Sequence, residues 1–287
     1  MPGNWILFAA ATAVFSAGKD VFSRIGLDSA DEYLVSFTTW LFALPLLSLA
    51  LCFSGIPVIC PAFFPALLVS GIANTAATIL YMKAMHSTDI SICVPLVAFT
   101  PVFMLLTSPL ILGEFPGQRG VLGIFFITAG SYFLQLEKGK TGFMAPFKAL
   151  LYNRGARYMA IVAFIWSISA NFDKMGILNS SPFFWSFSSC LFVILSMLPI
   201  LHCHGCFGRT GKNFGSLALA GISHSLMLIC QMTAVSMTLA AYVISIKRTS
   251  IVLVVLAGSL IFKEGGLKER LFGSALMLAG VMLITLF

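Results

Sequence analysis

The sequence is short of charge. Only 9% of its 287 residues are Asp, Glu, Lys or Arg, 59% are hydrophobic, and the mean hydropathy is +0.99. A water-soluble domain carries about 25% charged residues. This chain cannot cover a water-facing surface and reads as a polytopic membrane protein. It also lacks the motifs on which enzymes are built, with no Gly-rich phosphate loop, no HExxH and no GxSxG elbow. Neither an enzyme nor a cofactor is expected. The seven cysteines form no spaced framework, and Cys52, Cys93, Cys190 and Cys230 lie in apolar runs, where cysteine acts as a small hydrophobe. His202, Cys203, His204 and Cys206 have zinc-type side chains. Crowded into five residues with no second cluster, they cannot close a tetrahedron, so no metal is expected. The start, MPGNWILFAA, has no basic segment before its apolar run and is read as a first span rather than a signal peptide. The net charge of +7 is scattered over short loops, which is a topology signal and not a nucleic-acid surface.

What the chain has in abundance is long apolar runs. About 20 such residues cross a bilayer core. Ten runs are present, at 4–26, 33–53, 62–85, 89–111, 118–136, 157–177, 183–202, 214–236, 239–261 and 267–287. They are too continuously apolar for barrel strands, and only helices or closed barrels satisfy their backbone in lipid. The expected fold is all-α, with ten transmembrane helices. A repeat divides them. SFTTWLF from Ser36 matches SFSSCLF from Ser186, and Gly71, Met82, Glu114, Gly123 and Gly130 match Gly221, Met232, Glu264, Gly273 and Gly280, all at an offset of 150. In the first helix Ser16, Ala17 and Asp20 match Ser169, Ala170 and Asp173 at 153. Five spans per unit is an odd number, so the second unit must enter from the opposite face, giving two inverted five-helix repeats with a site near midplane. The units are residues 1–136 and 157–287, joined by a linker at 137–156 whose FKALLY piece is suited to the membrane surface. Thirteen of the 17 lysines and arginines fall on the side of the odd-numbered loops, with only Arg119 and Lys174 opposite. The positive-inside rule then puts both termini outside. The glycines of spans five and ten are expected to pack helices closely, and Pro95 and Pro101 to bend span four.

Polar residues at membrane depth are costly and point to function. Lys247 and Arg248 lie near the middle of span nine. They either bridge to Asp20 or Asp173 or form a positively charged substrate pocket. Lys19 and Asp20 in span one, and Asn171 and Asp173 in span six, occupy pseudo-equivalent positions. Their carboxylates suit ion pairing or proton coupling. The alternatives are an Asp20–Arg24 pair, and Asp173 and Lys174 in water at a helix end. Asn74 and Thr75 in span three match the polar His224 and Ser225 in span eight, and Tyr81 pairs in the same way with Gln231. These residues line a shared cavity or bond helix to helix. Trp166 walls such a pocket or faces lipid.

The segments LILGEFPGQRGVLGIFFITAG and SLIFKEGGLKERLFGSALMLAGV, with a Glu closing spans four and nine before a Gly-rich span, resemble the drug/metabolite transporter superfamily, EamA type, over nearly the whole chain. The resemblance implies an alternating-access carrier of small metabolites, with a cavity lined by spans one, three, four, six, eight and nine. Lys247-Arg248 is similar in type and place to the pair with which triose-phosphate translocators in that superfamily grip phosphate. The family habit implies cytosolic termini, opposite to the charge bias. The favoured expectation is a secondary transporter of a small polar anion in the plasma (inner) membrane. Lys247, Arg248, Asn74, Thr75, Tyr81, Asn171, His224 and Gln231 would meet substrate, and Lys19, Asp20 and Asp173 would serve coupling or ion pairing. The expected partners are a small-molecule substrate, the bilayer and a proton or counter-substrate, with a homodimer left open. The alternatives are a proton-coupled exporter of cationic or amphipathic compounds, and a non-transporting assembly partner.

Overall fold

The structure is a computed structural model and describes residues 4–27, 30–87, 96–135, 145–204, 214–253 and 267–286. Pro95, Cys206 and Glu264 lie outside them. Among the described residues the regular structure is helical, with no strand. The helices are α1 (Asn4–Leu27), α2 (Glu32–Ser54), α3 (Phe63–Ser87), α4 (Thr100–Leu112), α5 (Gln118–Gln135), α6 (Ala145–Tyr152), α7 (Arg154–Leu178), α8 (Pro182–His204), α9 (Phe214–Met237), α10 (Ala240–Lys247) and α11 (Leu267–Thr285). Six of them, α1, α2, α3, α7, α8 and α9, are long and apolar enough to cross a membrane. Polar residues mark the starts. Asp31 accepts from the Tyr33 N–H at 3.0 Å to cap α2, and Asn153 accepts from Gly155 and Ala156 at 2.8 and 3.3 Å to cap α7. The short α6 lies in the predicted linker and leaves Leu151 and Tyr152 exposed.

The helices pack between the two sequence repeats more than within them. α1 lies along α9, α3 along α7, and α5 along α11. In lipid the drive for this is close van der Waals approach, which small residues permit. A Cβ on Gly123 would sit 2.7 Å from the Gly280 carbonyl oxygen, and one on Gly280 would sit 2.6 Å from that of Gly123. Gly130 and Gly273 approach each other in the same way, at 2.5 and 2.8 Å. So α5 and α11 run antiparallel, and each glycine meets the repeat counterpart of the other. The pattern recurs elsewhere. The Phe192 ring packs on Gly71 and Phe42 packs on Gly221, two contacts related by the same offset. Cys190 Sγ donates to the carbonyl of its own counterpart Trp40 at 3.3 Å. A residue that touches its own counterpart sits where a twofold exchange of the halves would place it.

One end of the bundle is fastened by a single lysine. Lys174, near the end of α7, is 7% exposed. Its Nζ forms an ion pair with Glu114, just after α4, and donates to the Thr238 carbonyl between α9 and α10 at 2.8 Å. At the same end the Cys60 N–H donates to the Asn179 carbonyl at 3.0 Å. The sequence placed Lys174 among the loop charges. The structure buries it, because Glu114 supplies the compensating charge.

Two outcomes test this packing. Gly130→Val pushes into the Gly273 backbone and should lower stability by about 1–3 kcal/mol, read as a lower thermal midpoint in detergent. Gly117→Ala, which meets nothing within 4 Å, should leave it unchanged. Lys174→Met leaves the half-buried Glu114 carboxylate uncompensated and should cost about 3 kcal/mol or somewhat less. The double variant Lys174→Met/Glu114→Gln should recover most of that loss in the same melting experiment.

Candidate functional site

Span four, expected to bend at its prolines, and span nine, expected as a helix, are broken at matching positions. In the first repeat a turn at Ala98–Phe99 precedes α4; in the second a turn at Arg248–Thr249 follows α10, and helix resumes at 250–253. The first break has a covalent cause. Pro101 has no N–H to give to the carbonyl four residues earlier, that of Val97. The Thr100 hydroxyl donates to that carbonyl instead, at 2.8 Å. Proline in the first turn then suits the start of α4. The second break contains no proline. Its backbone tightens to i→i+3 bonds, with Arg248 N–H on Ser245 at 3.0 Å, Thr249 on Ile246 at 2.9 Å and Ile251 on Arg248 at 3.1 Å.

The two breaks are joined. Arg248 Nη2 donates to Thr100 Oγ1 at 2.8 Å, so guanidinium, hydroxyl and the Val97 carbonyl form one chain. The Arg248 guanidinium carbon also lies 6.0 Å from the centroid of the Trp166 ring, which packs at 5.4 Å on Tyr81. Lys247 departs in another direction, its Nζ donating to Gln231 Oε1 on α9 at 2.8 Å.

These residues line a cavity of about 190 Å³. Its lining also includes Asp173, Asn74 and His224, and Lys19, Asp20 and Arg24 from the second half of α1. Asp173, 6% exposed, accepts from Ser70 and, at 3.2 Å, from Trp185 Nε1. Ser70 in turn receives Asn74 Nδ2 at 3.1 Å. Lys19 pairs with Asp20 at 2.9 Å. His224, 6% exposed, meets the Trp40 ring edge-on at 4.4 Å, and both its ring nitrogens are buried without a hydrogen-bond partner among the described residues.

Nine of the eleven residues singled out from the sequence thus face one cavity: Lys247, Arg248, Asn74, Tyr81, His224, Gln231, Lys19, Asp20 and Asp173. Two do not. Thr75 turns its hydroxyl back to the Gly71 carbonyl at 2.8 Å, a bond within its own helix. Asn171 is fully buried between α4 and α7, donating to Thr107 Oγ1 at 2.9 Å and the Ser167 carbonyl at 2.7 Å and accepting from Ser108 at 2.7 Å. It holds the wall rather than facing the cavity. The anticipated bridges from Lys247 or Arg248 to Asp20 or Asp173 are absent among the described residues, since both cations rest on neutral oxygens. Asp20 takes Lys19 rather than Arg24 as its partner. Sequence reasoning missed Thr100, Ser70 and Trp185. Only the position of Thr100 directly before Pro101 carried a signal. Among the described residues no group of three or more His, Cys, Asp or Glu is placed to hold a metal.

Comparison with known proteins agrees with this architecture. The model of the EamA-like transporter family matches residues 3–136 and again 153–286. A solved structure, described only as a crystal structure of a protein, superposes with a TM-score of 0.79 over 100% of this chain and 99% of that chain, at 14% identity, which speaks to the fold alone. No match was found among curated proteins. Two family matches spanning nearly all of an apolar, helical chain leave one conclusion: the protein is a multi-pass membrane protein that belongs to the EamA-like transporter family, within the drug/metabolite transporter superfamily.

Proposed function

We propose that this protein is a secondary carrier that moves a small polar anion across the plasma (inner) membrane by alternating access, with Lys247 and Arg248 as the groups that meet its negative charge. The observation that carries the reading is the placing of these two side chains. They face the cavity at a helix break, and each bonds to a neutral oxygen at 2.8 Å instead of a carboxylate. A charge at membrane depth without an ionic partner is costly, and an arriving anion supplies that partner. Irregular backbone at such depth is tolerated where it lines a cavity, the placement seen for binding sites in carriers built from repeats. The reciprocal contacts of Gly123 with Gly280, Gly71 with Phe192 and Gly221 with Phe42 support two inverted five-helix repeats, ten spans in all. In this reading the Lys174–Glu114–Thr238 fastening is the barrier at one end. Transport opens it while the Arg24 end closes.

A second reading rests on Asp173. It is a buried carboxylate facing the cavity with hydrogen-bond donors but no cation in contact among the described residues. A proton-driven exporter of cationic compounds would use it as the titrating group.

Flux in proteoliposomes decides between them. Wild-type protein should take up radiolabelled small carboxylates or phosphates saturably. Lys247→Ala and Arg248→Ala should each slow uptake by about tenfold or more, the loss of one hydrogen bond to a charged group. Normal anion uptake by both variants would sink the anion reading. Cation efflux whose acid-side pH dependence disappears in Asp173→Asn would establish the second.

A further inference from the structure

The anion reading does not say how many acidic groups the cavity receives, and the placement of its charges does. Four cationic side chains face it, Lys19, Arg24, Lys247 and Arg248, against two carboxylates, Asp20 and Asp173. Asp20 pairs with Lys19 at 2.9 Å, and Asp173 accepts from Ser70 and Trp185 while its charge also reaches Lys247. The surplus is therefore two positive charges.

The two cations at the break do not converge. Successive residues of a helix point about 100° apart, and here that divergence is preserved by different partners. Lys247 is drawn to Gln231 on α9, whereas Arg248 is drawn to Thr100 at the start of α4 and over Trp166 of α7. A single acidic group that replaces Gln231 at Lys247 leaves Arg248 on its threonine. An anionic acceptor adds the Coulomb attraction of an ion pair that Gln231 and Thr100 cannot supply, so the cavity is best filled by a ligand that replaces both neutral acceptors.

Space narrows the class. The cavity is about 190 Å³. A dry cavity of about 150 Å³ accepts a benzene ring of six heavy atoms, so on the same scale the occupant has about eight. His224 faces the same space within electrostatic reach of Lys19 and Lys247, and its ring nitrogens have no partner among the described residues.

We propose that the cavity takes a compact dianion with acidic groups at its two ends, of the four- to five-carbon dicarboxylate class, one carboxylate at Lys247 and the other at Arg248. This rests on the anion reading above and goes beyond it. A phosphate monoester concentrates both charges on one group and engages one pole; a monocarboxylate has only one charge and likewise engages one pole.

The test uses the full chain, purified in detergent, with binding read from ligand-dependent shifts in melting temperature. The probes are succinate, glutarate, monomethyl succinate, butyrate and glycerol 3-phosphate. In the wild type, succinate or glutarate should bind about tenfold or more tightly than monomethyl succinate, a difference of about 1.4 kcal/mol. That preference should fall to near unity in Lys247→Gln and in Arg248→Gln, because the half-ester needs only one cation, and should survive in Arg248→Lys. If a glutamine variant does not fold, the wild-type ratio decides alone. Butyrate or glycerol 3-phosphate binding as tightly as the dicarboxylates would overturn the dianion proposal and leave the anion reading standing. If no anion in the panel shifts the melting temperature, both fall together.

Discussion

Pro101 cannot donate to the carbonyl of Val97, and inside a bilayer that carbonyl has no water to turn to. The Thr100 hydroxyl answers it, and Arg248 in turn hydrogen-bonds that hydroxyl. The rest of the site depends on this relay. It fixes the break in span four, holds the guanidinium at cavity depth beside Trp166, and so sets the direction in which Lys247 must leave the same turn toward α9. An arginine without such an oxygen would be driven to reach for the membrane surface. Here the carbonyl that proline leaves unbonded and the hydroxyl that answers it provide an anchor, and the cation stays where a ligand can meet it.

The second constraint runs along α7. Asp173 faces the cavity, and Lys174, the next residue, fastens the end of the bundle through Glu114 and Thr238. Neighbouring positions on a helix face different ways, so one helix can present a carboxylate to the cavity and a cation to the Glu114–Thr238 contact. Lys174 also holds Thr238 at the start of the segment leading through α10 to the Lys247–Arg248 break, so barrier and cation pair are tied to one side chain. Differential contacts of this kind are what a carrier needs, because a ligand shifts an equilibrium only by the difference in its interactions with the two states.

Much of this was legible in the chain. The helical class follows from apolar run length, and the close approach of α5 to α11 from the glycines at 123, 130, 273 and 280, because hydropathy and small-residue spacing are local signals. The nine cavity residues were recognisable because charged and strongly polar side chains at membrane depth are rare enough to stand out. Thr75 and Asn171 went the other way for a reason composition does not carry. A buried threonine can satisfy itself on the carbonyl four residues back, and an asparagine can be consumed entirely by a neighbouring helix. The burial of Lys174 was hidden because its partner Glu114 is 60 residues distant in sequence, and Glu114 read only as a marker of the repeat. Thr100 was overlooked because hydroxyls are common in apolar helices; its meaning comes from the proline that follows.

The duplication itself explains why the cations sit where they do. At the offset of 150, Lys247 and Arg248 stand opposite Val97 and Ala98, and Ser250 opposite Thr100. Both copies break at the same place, yet only one carries charge there, and only the other carries proline after the hydroxyl. Two charged breaks facing each other would set like charges side by side at low dielectric, at a cost that rises steeply as they approach. Two apolar breaks would leave no cation at either break. With proline and threonine in one copy and lysine and arginine in the other, the first break supplies an acceptor and the second a donor, and the halves become complementary. Structural symmetry brings the breaks together, and chemical asymmetry makes the space between them a site.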